Sequence, residues 1–159
     1  MAEHDFTVFE RHDHSGCTVS ALKAAEARAT EAGLRLTPVR RRALEILLEE
    51  HRALGAYEVL ERLADDGFGA QPPVAYRALD FLVEHGFAHR IEGLNAFAAC
   101  MHSGTDHEPV FFICEVCKVV AEAPQAVVGD AIAGAAAKLG FTPGRAHVEV
   151  LGLCPACAE

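Results

Sequence analysis

The sequence has no apolar run of the roughly 18 residues that a membrane-spanning helix needs, so no such helix is expected. It also has no basic start leading into an apolar stretch. The first residues read MAEHDFTVFERHDHSGC, which predicts no secretory signal and a cytoplasmic location. Positive charge is scarce: 14 Lys and Arg stand against 23 Asp and Glu, a net charge of −9. Taken as an average, that argues against nucleic acid as a partner, because phosphate contacts need positive potential. A basic face can still sit on an acidic protein. No internal repeat and no low-complexity linker are present. No HExxH zinc-protease pattern and no nucleophile elbow occur, so no enzyme is expected. What is present is globular: 159 residues with 51% hydrophobic content suit one compact domain or two small ones.

Six cysteines stand out in a chain placed in a reducing compartment, where disulfides are rare and CxxC pairs point to metal or redox chemistry. Two such pairs occur, Cys114-Glu-Val-Cys117 and Cys154-Pro-Ala-Cys157. Four thiolates satisfy the tetrahedral preference of Zn(II) and leave no open position, the mark of a structural site. A thioredoxin-like dithiol uses one pair at a helix start, and a ferredoxin-like cluster needs a third closely spaced cysteine. The N-terminal His4, His12, His14 and Cys17 read as a terminal arm, with an accessory metal site as the lesser reading.

Helical signals fill the first half. Residues 18–32 are Ala-rich and end at Gly33. Thr37-Pro38 reads as a capping hydroxyl followed by a first-turn proline, with Val39, Ala43, Ile46 and Leu47 at helical spacing behind it. Ala56, Val59, Leu60 and Leu63 predict a third helix. Pro72-Pro73 opens a fourth, with Ala75, Leu79, Leu82 and Val83 as its apolar side. Extended runs follow at Phe87–Glu92 and Asn95–Cys100. Three helices and a hairpin are the order of a winged helix-turn-helix. Beyond residue 95 only Lys118, Lys138 and Arg145 are basic. There, Val110–Cys114, Val119–Glu122 and Ala146–Leu151 predict strands. A helix is expected to start at Pro124, with Val128, Ile132, Ala135 and Leu139 as its apolar stripe. The expected fold is α+β: a winged-helix domain with its N-terminal arm over residues 1–95, then a small α/β domain over residues 96–159, with a boundary in the 93–108 region.

The helix Pro72-Pro-Val-Ala-Tyr-Arg-Ala-Leu-Asp-Phe-Leu82, the stretch Leu34–Arg40 (LRLTPVR) and the ending Gly152–Cys157 (GLCPAC) resemble the zinc uptake regulator (Zur) branch of the ferric uptake regulator (Fur) family. The resemblance runs from about residue 20 to the C-terminus. It implies a homodimer, each subunit carrying a DNA-binding winged helix and an α/β dimerisation domain. Zinc would act as corepressor at promoters of zinc-acquisition genes. No membrane and no small-molecule substrate would be involved. By this resemblance Tyr57 and Arg77 look like a base-contacting pair, with Tyr76 and Arg41 as further DNA contacts. Helical spacing independently puts Arg77 outward, opposite the apolar side, and arginine can donate twice to a guanine edge. Arg35, Arg40, Arg41, Arg42 and Arg52 are candidates for phosphates, which position without reading sequence. One departure is Val74-Ala75, where the family carries Thr-Val, removing a hydroxyl at the helix start.

The resemblance also implies a second, exchangeable zinc site made of His89, Cys100, His107 and Glu122, which brings the expected metal to about two Zn(II) per subunit. Imidazole, thiolate and carboxylate together suit Zn(II). His102 is a weaker substitute for His107. Cys100 argues for zinc over the harder Fe(II) or Mn(II). The rival readings are an iron or peroxide sensor of the same family and a zinc-storage or delivery protein without a DNA function. Outward Arg77 and the Thr37-Pro38 helix opening favour the regulator. A third metal site near His147 and Leu151 is left unassigned.

Overall fold

The computed structural model describes Phe9, residues 14–101 and residues 108–159, with backbone alone for residues 14 and 15. The chain divides into two compact units, one up to Thr105 and one from Asp106.

The first unit begins with α1 (His14–Glu31), four residues earlier than the Ala-rich stretch predicted. Gly33, at φ +68°, ends it: its N–H donates to the Thr30 carbonyl and that of Leu34 reaches back to Ala29 at 2.8 Å. That double bond satisfies carbonyls that the helix end leaves unpaired. Next comes α2 (Pro38–Glu49), with proline in its first turn where the missing N–H costs nothing. The expected Thr37 cap is absent. Its hydroxyl makes no cap hydrogen bond, and its oxygen is buried without a hydrogen-bond partner. Proline and the apolar run behind it therefore set this helix start. Third is α3 (Ala56–Asp65), where the Gly55 N–H donates to the Glu58 carboxylate at 2.8 Å. Last is α4 (Pro72–Glu84).

These helices pack because each buries one apolar stripe. Leu44, Ile46 and Leu47 of α2, Val59 and Leu63 of α3, and Leu79 and Leu82 of α4 are all essentially sealed from solvent. Phe87 closes the core beneath them. A short antiparallel hairpin follows, β1 (Ala88–Ile91) paired with β2 (Ala96–Ala99). Its tip is a 3-10 turn at Glu92–Leu94, and Asn95 takes the left-handed conformation at φ 47°. A two-way backbone bridge from Leu54 to Phe97 attaches this hairpin to the segment before α3. Among the described residues the unit is thus four α-helices and a two-stranded wing, one helix more than the minimal motif. The sequence-based division at residue 95 would separate β1 from β2. Their residue-for-residue pairing keeps residues 96–99 in the first unit.

The second unit is a three-stranded sheet in the order β4-β3-β5. Strand β3 (Pro109–Cys114) pairs antiparallel with β4 (Val120–Pro124) and parallel with β5 (Val148–Gly152), the parallel pair being joined through α5 (Ala126–Lys138). Two expectations change here. Pro124 closes β4 instead of opening α5, because it pairs with Pro109 across the ladder. The α5 stripe is met only in part: Val128 and Ile132 are half-buried on the side of Ala136, the one fully buried residue of the helix, whereas Ala135 is exposed and Leu139, at the helix end, is 81% exposed. An Ala-rich helix is apolar nearly all round, so its sequence does not single out one face.

Ion pairs cross the outside of the helical unit. Arg42 of α2 binds Asp66 at 2.5 Å and Glu49 at 2.7 Å. Arg62 of α3 binds Glu49 and Glu50, and Arg52 of the connecting loop binds Glu50 and Glu58. The Arg52 guanidinium, more than that of Arg62, holds the Glu50 carboxyl below its ordinary value of 4.5. Stability from a carboxyl depressed in this way is fully present above the ordinary value and is lost as pH falls through the folded one. Glu50→Gln is therefore expected to lower the urea-unfolding free energy at pH 7 by less than about 1 kcal/mol, the scale of partly exposed pairs. The gap to the unaltered protein should close well below pH 4.5. Urea titrations of both proteins by circular dichroism at the two pH values measure it.

Candidate metal centres and nucleic-acid interface

The four paired cysteines converge within the second unit. Cys114 ends β3, and the chain turns at once: the Lys118 N–H donates to the Cys114 carbonyl at 3.0 Å, while Lys118 adopts φ 64°. The second knuckle is built alike, with the N–H groups of Cys157 and Ala158 both donating to the Cys154 carbonyl. Parallel pairing sets Cys114 beside Gly152, and the Glu115 N–H reaches the Gly152 carbonyl at 2.9 Å. The register of β3 on β5 therefore lays the two knuckles side by side. All four sulfurs lie within 4.8 Å of one another, and Cys117 Sγ stands 3.7 Å from Cys154 Sγ. A tetrahedron of ~2.3 Å Zn–S bonds has edges of about 3.8 Å.

The electrostatics of the cluster call for a cation. Backbone N–H groups, chiefly that of Cys154 and then that of Cys117, bring the Cys114 thiol from 9.0 down to about 6. The neighbouring Cys154 sulfur is the largest cause pushing the Cys157 thiol up to about 12. One thiol of the cluster ionises readily, while hydrogen bonds to its neighbouring sulfurs and burial hold another in the protonated form. A soft divalent ion at the centre removes that difference. The donor set and its spacing fit Zn(II), with Cys114 and Cys154 buried and no fifth position offered.

The residues expected at the exchangeable site fall on three places. His89 lies on β1 and Cys100 just past β2, with ligand atoms within 4.8 Å of each other. The hairpin positions the cysteine: the Cys100 N–H donates to the Phe87 carbonyl at 3.0 Å, two residues before His89. Cys100 is buried and His89 half-buried. Glu122 sits on β4, half-buried. His107 and His102 lie outside the described residues, as do His4 and His12. Cys17 is exposed on α1.

The helix α4 presents Tyr76 and Arg77 to solvent, and Tyr57 at the start of α3 is 67% exposed. The arginines of this unit separate into two groups. Arg42, Arg52, Arg62 and Arg90 are tied to carboxylates, and Arg41 binds Glu26 at 2.5 Å. Among the described residues, Arg28, Arg35, Arg40 and Arg77 make no ion pair with any carboxylate; Arg28 bonds backbone carbonyls, and Arg40 lies over the Phe81 ring at 3.8 Å. Of the arginines expected to meet phosphates, Arg41, Arg42 and Arg52 thus carry internal partners. One residue that shapes this unit, Arg28 of α1, goes unmarked in the sequence. Its contacts are 57 and 58 residues away, and no local spacing announces them.

No family model matches the chain. It is 37% identical to the zinc uptake regulation protein of Escherichia coli (strain K12) over 143 residues, 89% of this chain and 84% of that protein. The same figures hold for the zinc uptake regulation protein of Shigella flexneri. Among solved structures, it is similar to a zinc uptake regulator complexed with zinc and DNA, with a TM-score of 0.80 and 37% identity, covering 89% of this chain and 95% of that one. It is also similar to the holo form of XcZur, with a TM-score of 0.75 and 38% identity, covering 87% of this chain and 97% of that one. A winged helical unit, a closed four-thiol cluster and this identity along nearly the whole chain place it in one family: the chain belongs to the zinc uptake regulators of the Fur family.

Proposed function

We propose that the chain is a zinc-responsive transcriptional repressor, acting in the cytoplasm as a homodimer with about two Zn(II) per subunit. Loaded with zinc it binds the operators of zinc-uptake genes, and it releases them when zinc is scarce. The observation that carries this reading is the hairpin after α4. It holds a zinc-type donor pair, His89 and Cys100, on the wing of the unit whose preceding helix exposes Arg77. A storage protein has no use for that arrangement. The thiolate of Cys100 favours zinc over Fe(II) or Mn(II), which weighs against an iron or manganese sensor.

Two metal roles divide the ligands. Cys114, Cys117, Cys154 and Cys157 are the structural site, which fastens the C-terminal tail to the end of β3. His89, Cys100, Glu122 and His107 are proposed as the ligands of the exchangeable site. With four such ligands Zn(II) would have no open position for a substrate, which favours a regulator over an enzyme. The signal is thermodynamic. Zinc raises DNA affinity only by as much as it prefers the DNA-competent state, and DNA raises zinc affinity by the same factor. Moving that state from about 1% to 99% takes roughly 5.5 kcal/mol of preference.

At the DNA, Arg77 is proposed to read a base edge beside Tyr57 and Tyr76, with Arg35 and Arg40 at phosphates. Arg41 reaches a phosphate only by giving up Glu26. A second copy of the chain is proposed to cover the apolar surface of the sheet, where the cross-strand partners Phe112 and Val150 are 39% and 42% exposed. Among the described residues no helix is long and apolar enough to cross a membrane.

Three outcomes are expected. Cys154→Ser should lose the zinc that survives mild chelation, together with the fold of the second unit and the dimer; metal analysis and sedimentation check it. Arg77→Ala should weaken operator binding by roughly 1–3 kcal/mol, the value of a bidentate base contact, in a gel-shift titration that leaves non-sequence-specific affinity nearly unchanged. Cys100→Ser should keep the dimer and the chelation-resistant zinc, yet lose the dependence of operator affinity on buffered free zinc. A full zinc response in that variant would place the sensing site elsewhere.

A further inference from the structure

The joint between α4 and β1 is held from outside, by a side chain of the N-terminal helix. At the end of α4 the Gly86 N–H donates to the Val83 carbonyl and the Phe87 N–H to the Leu82 carbonyl at 2.8 Å, with Gly86 at φ +74°. This closure satisfies two carbonyls of the last turn and leaves those of His85 and Gly86 pointing away. Arg28, in the last turn of α1, takes both. One guanidinium nitrogen donates to the His85 carbonyl and the other to that of Gly86 at 3.4 Å. The same guanidinium lies over the Phe87 ring, 4.1 Å from its centre. A Cβ on residue 86 would come within 3.3 Å of Arg28, so a glycine there serves the left-handed turn and the arginine's seat together.

The residue under that guanidinium leads directly to the metal pair. The Phe87 carbonyl accepts the Cys100 N–H, and His89 follows two residues on in the strand that begins at Ala88. Both ligands therefore hang from a single residue whose ring and two preceding carbonyls are clamped by Arg28. Ligand affinity depends on how well the donors are fixed before the metal arrives, and groups behind the ligands set it. We propose that Arg28 is a positioning residue for exchangeable zinc: it holds the α4–β1 joint so that His89 and Cys100 present their donor atoms together. This rests on the reading of His89 and Cys100 as ligands. It makes the N-terminal helix part of the sensing apparatus, though it bears none of the ligands.

The test is a Co(II) titration of the full chain already holding its chelation-resistant zinc, followed through the thiolate-to-cobalt absorption band. The proteins compared are unaltered, Arg28→Met, Arg28→Gln and Cys100→Ser. Arg28→Met should bind Co(II) about tenfold more weakly, as when a group supporting a ligand is lost, with a displaced band and with its chelation-resistant zinc retained. Arg28→Gln should weaken binding in the same direction, since it lacks the cation over Phe87. A purely structural role would lower the urea midpoint and leave band and affinity alone. Unaltered affinity and band in Arg28→Met, with the band gone in Cys100→Ser, would overturn the role of Arg28 alone. Should Arg28→Met not fold, the same reading of Arg28→Gln decides. A band that survives in Cys100→Ser would remove the site itself, and this inference with it.

Discussion

Four sulfurs gathered within 4.8 Å are the constraint on which the C-terminal unit depends. That unit runs only from Asp106 to the C-terminus, and its buried set is thin: short strands contribute Val110, Phe111, Ile113, Val120, Ala121 and Ala123, and the helix contributes Ala136. Below about 70 residues a single core seldom stabilises a fold unaided, and a structural metal is one of the usual staples. The cluster acts where the staple has most effect. It joins the end of β3 to the residues beyond β5, across a long intervening segment that includes α5. The parallel ladder between those strands needs such help, because nothing local brings parallel neighbours together. Sheet, apolar surface and any dimer built on it follow from that closure.

The helical unit is held by a different balance. Leu, Ile and Val side chains of three helices are sealed around Phe87, and no metal is needed for them. Around this core the acidic composition takes on a meaning that net charge conceals. Glu and Asp residues on α1, α2, α3 and their loops bind Arg41, Arg42, Arg52 and Arg62. Arg35, Arg40 and Arg77 are spared. A protein with net charge −9 thereby keeps a few guanidiniums without a carboxylate partner in its helical unit. Under the proposed function, internal pairing of the other arginines would hold down non-specific attraction to phosphates.

Much of this was legible in the chain itself. Helix starts at Pro38 and Pro72 were marked by proline, whose fixed φ suits a first turn and nowhere later in a helix. The CxxC pairs announced a metal because a two-residue spacer brings two thiols within reach of one ion whatever surrounds them. Apolar spacing named the core of α2, α3 and α4, since those helices each bury one stripe. Local chemistry misled where tertiary contacts overruled it. Thr37 looked like a cap, yet its hydroxyl caps nothing. Pro124 looked like a helix start, yet strand pairing with Pro109 claimed it.

The sequence by itself determined what short spacings can carry: four metal-spaced cysteines and an outward arginine on a proline-led helix. His89 and Cys100 stood out only through the family resemblance. Tertiary structure alone decided which arginines are left without a carboxylate, which strands lay the two knuckles side by side, and that an arginine of the first helix clamps the turn ahead of His89. Each of those depends on residues far apart in the chain. Such contacts exist only once the entropy of closing long loops has been overcome by the packing of the core.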